Sequence, residues 1–388
     1  MPVRVGCGLA THADPHLGAL AAAEDARDGL QGRAADLVIT FLAGGHLGAP
    51  EIALDTIGAV LEPDGLLGCG AAGVLGDRRE IEHGTAVAVW AANVGDGRAT
   101  TFHADVRPGD TGGVTVSGLP TMAGAAGTVL LPDPYTFPTD AVLDELAVRA
   151  PGVPVLGGVA SARTVDGSAA LLCDDRIHDG GAVGVRFDDI DLLPCVSQGA
   201  RAVGPELEIT SGTGHVIHEL AGEPALPKLR DVVEALPADE RAAVAEGVLL
   251  GIVLEDAPTP SPGPSDVLIR GLLGGDPAQG TVAVGAPVSA GQVVRLHARD
   301  AETADRDLRD ALELRRVALG AAPPAGALVF TCTGRGQEMF GVPDHDARSV
   351  HAGLAGAPAA GFFAAGEIGP VGGGNFLHAF TATVAVFA

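Results

Sequence analysis

Three stretches of this chain share one order of apolar and glycine-rich runs, and that order limits the folds it can adopt. Each stretch has an apolar run, a gap of about thirty residues, a glycine-rich run and a closing apolar run. The stretches begin near Asp36, Ala126 and Gly326. Such recurrence is typical of chains that use one supersecondary unit several times. The pattern therefore predicts three repeated units.

Each stretch predicts a strand, a helix and two further strands. Short runs rich in Val, Leu and Ile, such as ADLVITF and AGTVLLPD, are typical of buried strands. The gaps hold sequences that can form helices, for example APEIALDTIGAVL. If the first two strands of a stretch are parallel neighbours, their carboxyl ends meet at one edge of the sheet. Open α/β sheets usually bind ligands at that edge.

The fold class that follows is α/β with mixed α+β character. We expect two lobes of layered mixed β-sheets with flanking helices, built on three repeated strand-helix-strand-strand units. The first lobe holds two units, and the second holds one unit with inserted helices and strands. One inserted segment, APTPSPGPS, contains too much proline for regular structure.

The composition argues against several classes of partner. The net charge is −25, whereas nucleic acids and anionic membranes are bound through basic patches. No run reaches the roughly 20 apolar residues that a membrane-spanning helix needs, and the N-terminal sequence lacks the apolar core of a signal peptide. The five cysteines are scattered without a CxxC pair, and no HExxH occurs. We expect a cytoplasmic protein without a metal site.

Several motifs resemble a known family. The strings GCGAAGVLGDRREIEHGTAVAV, TGRGQEMFGVPDHD and AGFFAAGEIGPVGGGNFLHAFTATVAVF are similar to the FIST N-terminal and FIST C-terminal domains. The resemblance covers nearly the whole chain after about residue 30. It implies a bacterial sensory or signal-transduction module that binds small ligands such as amino acids, and some members are reported as haem-binding sensors of nitric oxide.

The resemblance also divides the chain. It predicts a FIST N-terminal domain over residues 1–205 and a FIST C-terminal domain over residues 206–388. No kinase, cyclase, chemotaxis or F-box segment accompanies the pair in this sequence. Either any signal passes through a separate partner protein, or the protein is not a signal transducer.

Arg335 and Glu367 are the leading candidate ligand-binding residues. Arg335 lies between two glycines just after a predicted strand, where its guanidinium could hold a carboxylate or phosphate, although a salt bridge to one of the many acids is equally consistent. Glu367 follows another apolar strand, and burying its carboxylate requires a partner. An amino acid would suit the pair, with its carboxylate on Arg335 and its ammonium on Glu367.

Four residues near these two are further candidates. His345 and Asp346 begin the predicted helix of the third stretch and could line the site. Asp344 or Asp346 could instead cap the helix, and we favour a cap for one of them and leave the other open. Asn375 and His378 follow in GGGNFLHAF, and we assign Asn375 to structure and His378 to the site.

The first two stretches contribute three more candidates at their strand ends. Cys69 could be a nucleophile, although a small residue buried under a turn is the commoner case. Arg163 lies at a glycine-rich strand end and could line the cleft. His46 follows the first strand of its stretch and would be the axial ligand if haem bound, but the sequence has few aromatic residues to contact a haem. No cofactor is therefore predicted.

Three functions remain open. The first is a sensory protein that binds a small molecule in a cleft at the glycine-rich strand ends. The second is an enzyme acting on a small acid or amine, with Cys69, His345 or Glu367 as acid, base or nucleophile. The third is a haem-binding gas sensor or a protein-interaction adaptor. No spacing in the sequence names a reaction, so the first function is favoured.

Overall fold

A computed structural model describes residues 1–109, 113–254, 267–320 and 322–388. The chain divides into two compact units. The larger unit comprises residues 1–197, 308–370 and 374–388, and the smaller comprises residues 198–307 and 371–373. The predicted family boundary between residues 205 and 206 stays a prediction. The proline-rich segment APTPSPGPS lies outside the described residues.

The elements are numbered along the chain. The strands are β1 (Arg4–Ala10), β2 (Leu37–Ala43), β3 (Gly65–Gly70), β4 (Val74–Gly76), β5 (Arg79–Ile81), β6 (Ala86–Asn93), β7 (Arg98–Pro108), β8 (Val114–Ser117), β9 (Gly127–Pro132), β10 (Val155–Gly158), β11 (Leu171–Cys173), β12 (Arg176–His178), β13 (Ala182–Asp188), β14 (Leu192–Ser197), β15 (Ala200–Thr213), β16 (Val216–Leu220), β17 (Glu223–Pro224), β18 (Val248–Val253), β19 (Val267–Asp276), β20 (Thr281–Val284), β21 (Val293–Arg299), β22 (Gly326–Cys332), β23 (Ala359–Ala364), β24 (Glu367–Val371), β25 (Gly374–His378) and β26 (Ala382–Phe387). The α-helices are α1 (Pro15–Gly29), α2 (Pro50–Leu61), α3 (Thr139–Arg149), α4 (Ala225–Ala235), α5 (Ala238–Glu246), α6 (Ala301–Leu319), α7 (Gln337–Phe340) and α8 (His345–Gly353), and a 3-10 helix spans Gly44–Gly48.

The larger unit contains three mixed sheets. Their strand orders are β1-β6-β2-β3-β11-β12, β25-β24-β10-β9-β13-β7-β8 and β14-β26-β22-β23-β4-β5. In each sheet a parallel pair joined through a helix lies at the centre, namely β2 with β3, β9 with β10, and β22 with β23. An antiparallel strand follows beside the first strand of each pair. The predicted fold class, α+β with mixed sheets and flanking helices, is confirmed. The third stretch lies almost wholly in the larger unit with the first two, whereas the sequence predicted a second lobe built on it. The origin of the three stretches as repeats stays a prediction.

Each of these sheets is completed by a hairpin that belongs to another stretch of the chain. The hairpin β4-β5 of the first stretch pairs with β23 of the third. The hairpin β11-β12 of the second stretch pairs with β3 of the first, and β24 of the third pairs with β10 of the second. The three stretches are therefore linked in a ring of exchanged hairpins.

One apolar core lies between the three sheets. The few aromatic residues of the chain concentrate there: Phe41 stacks on Phe362 with ring centroids 4.8 Å apart, and Phe387 contacts both Trp90 and Phe187 at 5.0 and 5.3 Å. These rings come from all three sheets and are fully buried or nearly so. Burial of this aromatic area is a large part of the stabilisation of the unit.

A glycine in the second strand of each parallel pair allows the two strands to approach. A Cβ atom on Gly68, Gly157 or Gly361 would lie 2.1, 1.9 or 1.8 Å from a carbonyl oxygen of the neighbouring first strand. No side chain fits at such a distance, so these three positions require glycine. They bring the ends of each parallel pair close together.

The smaller unit is a closed antiparallel barrel. Its strands follow the order β15-β21-β18-β19-β20-β16, and β15 pairs with β16 as well as with β21. The pairing thus returns to its starting strand, which leaves no open edge among these six strands. Buried Val203, Leu250, Val294 and Leu296 come from three of its strands.

The helices of the described ranges are short or polar in relation to a lipid bilayer. None of them is both long enough and apolar enough to cross a bilayer.

Candidate functional site

A cluster of charged side chains lies at the carboxyl ends of β22 and β23 in the larger unit. Arg335 follows β22, Glu367 begins β24 directly after β23, and Asp346 lies in the first turn of α8. Because β22 and β23 are parallel neighbours, their carboxyl ends meet at one edge of the sheet. All three side chains are buried, with at most 1% of their surface exposed.

Arg335 and Asp346 form a bidentate ion pair. Arg335 Nε donates to Asp346 Oδ2 at 2.8 Å, and Nη2 donates to Oδ1 at 3.0 Å. Thr331 Oγ1 also donates to Oδ2, and His345 Nδ1 lies 2.9 Å from Oδ1. Burial alone would raise the pKa of Asp346, but the Arg335 guanidinium and these hydrogen bonds hold that pKa well below its usual range. Asp346 is therefore a permanent anion that neutralises Arg335.

The helix start at α8 does not use either aspartate as a side-chain cap. Asp344 occupies the N-cap position with a left-handed backbone (φ 63°), and its side chain makes no capping hydrogen bond. Its Oδ1 instead accepts from Glu80 N at 2.8 Å. The expectation of a capping aspartate is therefore wrong, because one carboxylate is taken by a neighbouring strand and the other by Arg335.

Glu367 is held on one side only. Its Oε2 accepts from the backbone nitrogen and the hydroxyl of Thr381, at 3.1 and 2.8 Å. Burial raises the pKa of Glu367 to about 8, opposed by these hydrogen bonds, by the Arg335 charge and by the thiol of Cys332. Glu367 is thus a carboxyl group that holds its proton near neutral pH.

Two buried polar atoms in the cluster have no hydrogen-bond partner within the described residues. In Arg335, Asp346 and Glu367 these atoms are Arg335 Nη1, a donor, and Glu367 Oε1; a third such atom, Glu80 Oε2, lies beside the cluster. Leaving a buried polar atom without a partner costs on the order of 1–3 kcal/mol, and more for a charged group. The cluster therefore has one donor and one carboxyl oxygen that a bound molecule could satisfy.

Aromatic and acidic side chains surround the ion pair. The Phe340 ring stacks on His345 with centroids 3.5 Å apart, and the guanidinium carbon of Arg335 lies 5.2 Å from the Phe340 centroid. From the exchanged hairpin, Glu80 Oε1 accepts from Ala347 N at 2.8 Å. Burial first, and then the nearby charge of Asp346, raise the pKa of Glu80 to about 7.

Asn375 and His378 lie on β25 and make backbone contacts. Asn375 accepts from Val155 N at 2.9 Å and donates to Val153 O at 2.8 Å, so it holds the start of β10. His378 is buried, and its Nε2 lies 3.0 Å from Gly369 O. The contacts of Asn375 are structural ones.

Cys69 and Arg163 lie apart from this cluster. Cys69 is fully buried in β3, and burial raises the pKa of its thiol well above the usual range, which disfavours a nucleophilic thiolate. Arg163 forms its own bidentate pair with buried Asp133, at 2.9 Å to each carboxylate oxygen, and its guanidinium lies 4.6 Å from the Tyr135 ring centroid. Asp133 directly follows β9, and Arg335 follows β22, so each pair has one member at the carboxyl end of the first strand of a parallel pair.

The surroundings of His46 show whether its imidazole could be an axial ligand of a haem. The side chain is fully buried, and neither ring nitrogen has a hydrogen-bond partner among the described residues. A Cβ atom on Gly18 of α1 would lie only 3.1 Å from His46 Nε2, so the helix backbone covers that nitrogen. Iron could reach Nε2 only if α1 moved, so the surroundings of this nitrogen do not fit a haem iron.

Several residues that contact the cluster were not expected from the sequence. Thr331, Cys332 and Thr381 supply hydrogen bonds, and Glu80 comes from a hairpin more than 260 positions away along the chain. Phe340 stands in the motif TGRGQEMFGVPDHD, and its position five residues after Arg335 is the only signal that could have indicated it.

These features define an α+β module with a buried charged site at a strand edge. Residues 36–223 match the FIST N domain, and residues 225–370 match the FIST C domain. Uncharacterized protein Rv0628c of Mycobacterium tuberculosis (strain ATCC 25618 / H37Rv) is 42% identical over 387 residues, which cover 99% of this chain and 100% of that protein. Uncharacterized protein Mb0898c of Mycobacterium bovis (strain ATCC BAA-935 / AF2122/97) is also 42% identical, with 99% of each chain covered. The chain belongs to the FIST family, whose domains are sensory and signal-transduction domains, and the predicted family is confirmed.

Replacing Glu367 with glutamine is expected to change how stability depends on pH. The raised pKa means that the wild-type protein is most stable with Glu367 protonated, below about pH 4.5, and loses this contribution as the pH rises towards 8. Glutamine resembles the protonated form and does not titrate. The free energy of unfolding of Glu367→Gln should therefore rise relative to that of the wild type, by up to about 1.4 kcal/mol for each pH unit between about 4.5 and 8. Urea unfolding at pH 5, 6.5 and 8 measures the difference. If the unfolding free energies of the wild type and Glu367→Gln changed with pH in parallel, the raised pKa of Glu367 would be contradicted. Glu338→Gln, at an exposed glutamate, is the control.

Proposed function

We propose that the protein is a cytoplasmic sensory module that binds one small molecule, an amino acid or similar metabolite, through Arg335 and Glu367. The signal passes to a separate partner protein. Membership of the FIST family supports the sensory role. The observation that carries the proposal is the pair of unpartnered buried atoms, Arg335 Nη1 and Glu367 Oε1, within one cluster.

The chemistry of the pair selects a ligand with both an anionic and a cationic group. Asp346 already occupies Nε and Nη2 of Arg335, so a ligand carboxylate receives one hydrogen bond, from Nη1. An ammonium group bound at Glu367 Oε1 favours the ionised carboxylate, so Glu367 releases its proton on binding. Affinity for such a ligand therefore rises with pH up to about pH 8.

A thermal-shift screen of amino acids and related small metabolites, followed by calorimetry on the hits, tests this proposal. In buffers of different ionisation enthalpy, binding should release up to one proton. Glu367→Gln should weaken binding about 10- to 100-fold, as expected for loss of a charged hydrogen bond, and should abolish the proton release.

Arg163→Lys is the matched control for Arg335→Lys. All three side-chain nitrogens of Arg163 already have hydrogen-bond acceptors, in Asp133 and Gly167. Binding should therefore depend on Arg335 and not on Arg163. Silence across the screen, or equal affinity in the wild type, Arg335→Lys and Glu367→Gln, would rule the proposal out.

An enzyme acting on a small acid or amine is the second candidate. The observation that favours it is the contact between His345 Nδ1 and Asp346 Oδ1, because a carboxylate at Nδ1 orients an imidazole for general base catalysis. Incubating the protein with each molecule that binds, and following the mixture by NMR, separates the two functions. Turnover that disappears in His345→Gln supports the enzyme.

A further inference from the structure

A thin segment of chain covers the buried ion pair. Arg335 and Asp346 are buried, whereas none of the four residues of α7, which lies between them in the sequence, is buried. Gly341 and Val342, which follow α7, are exposed. Access to Arg335 from this side is therefore blocked by a single helical turn.

Within the described ranges, two contacts hold this turn against the rest of the larger unit. Gln337 N donates to Glu82 Oε1 at 2.8 Å. The Phe340 ring stacks on His345 and lies beside the guanidinium of Arg335. One hydrogen bond and one aromatic ring are a weak attachment in comparison with the strands below, which are joined by ladders of hydrogen bonds.

Glycine residues stand at both ends of the turn. Gly341 has a φ of +70°, and nothing lies within 4 Å of the position that its Cβ would occupy. Gly336 lies against the Glu82 carboxylate, whose Oε2 would be 2.0 Å from a Cβ atom there. Glycine absorbs backbone rotation at low cost, which suits both positions to be hinges.

We propose that residues 336–341 form a hinged lid, which carries Phe340 away from His345 and Gln337 away from Glu82 to admit a small molecule to the Arg335–Asp346–Glu367 cluster. The inference rests on the proposed function, because it assigns the lid to that same site. Its test needs no ligand, so a failed ligand screen and a rigid lid are distinguishable results.

Cys332 is a natural probe of lid opening. It lies at the end of β22 with 6% of its surface exposed, three residues before Arg335 and beside Glu367. Burial, followed by the Glu367 charge, raises the pKa of Cys332 to about 12. The buried thiol therefore reacts poorly with iodoacetamide, and because it lies beside Glu367 we expect it to be labelled when the reagent enters the cluster that the lid closes.

The experiment labels the folded protein with iodoacetamide and follows Cys332 and Cys69 by peptide mass spectrometry. Cys69 is fully buried in the first sheet and reports global unfolding in the same sample. We expect Phe340→Ala to raise the labelling rate of Cys332 about tenfold relative to Cys69, since it removes the stacking contacts. Glu82→Ala, which removes the other attachment, should raise the same ratio by a similar factor.

Glu338→Ala is the matched control, because Glu338 is an exposed residue on the same turn. It should leave the ratio unchanged. A ratio unchanged by both Phe340→Ala and Glu82→Ala overturns the lid, and so does an equal rise at Cys69, which would mean that the whole unit unfolds.

Discussion

Replacing Asp346 with asparagine is expected to destabilise the larger unit by about 3–5 kcal/mol. The substitution keeps the shape of the side chain but removes its charge, so the fully buried Arg335 guanidinium loses the anion that neutralises it. Breaking a buried pair on one side is costlier than replacing both partners. The urea unfolding midpoint at pH 7 measures the loss.

Two further variants make the test specific. Asp344→Asn is the matched control, because Asp344 accepts one backbone hydrogen bond and pairs with the exposed Arg348, and we expect a loss below about 1 kcal/mol. The double variant Arg335→Met and Asp346→Leu should recover most of the stability, since it removes both charges together. Equal losses for Asp346→Asn and Asp344→Asn would show that the buried charge does not matter.

Replacing Gly361 with alanine is expected to destabilise the larger unit by about 3 kcal/mol or more. The new Cβ would lie 1.8 Å from the carbonyl oxygen of Val329, and a backbone atom cannot move aside as a flexible side chain can. The parallel pair β22-β23 would separate, and the cluster at its end would be disturbed. Urea unfolding and the near-UV circular dichroism spectrum report the two effects.

Gly58→Ala is the control for the glycine substitution. Gly58 lies within α2, and nothing is within 4 Å of the position that its Cβ would occupy. Alanine is the better helix former, so we expect a gain of about 0.5–1 kcal/mol. If Gly361→Ala were tolerated as well as Gly58→Ala, the close approach of the two strands would be refuted.

That Arg335 and Glu367 lie at one strand edge could be predicted from the sequence, but the partners of their side chains could not. Arg335 and Glu367 each follow an apolar run, and the parallel arrangement of the two strands brings them to one edge. The sequence contains 49 acidic residues, and nothing local distinguishes Asp346 as the partner of Arg335. Glu80 is beyond such reasoning, because a short hairpin can pair with any open sheet edge and only the assembled unit decides which.

For single residues too, the local sequence indicates a position but not the distant residue that pairs with it. The glycine-rich string around Asn375 predicts a structural role, and the Asn375 side chain on β25 bonds the backbone of Val153 and Val155. Arg163 was placed at a cleft edge, but its pairing with Asp133 depends on a contact 30 positions apart in the sequence. Contacts between distant segments decide the polar partners, whereas the apolar pattern decides the strands.

The ring of exchanged hairpins sets the order in which the larger unit can be completed during synthesis. The first sheet is incomplete until residues 171–178, which form β11 and β12, have been synthesised. The second sheet remains open beside β10 until residues 367–378 have left the ribosome, although β9 and β10 are made more than 200 residues earlier. An unpaired strand edge is a site of aggregation. The nascent chain must therefore protect that edge for most of its translation, and it gains its final shape in one late step.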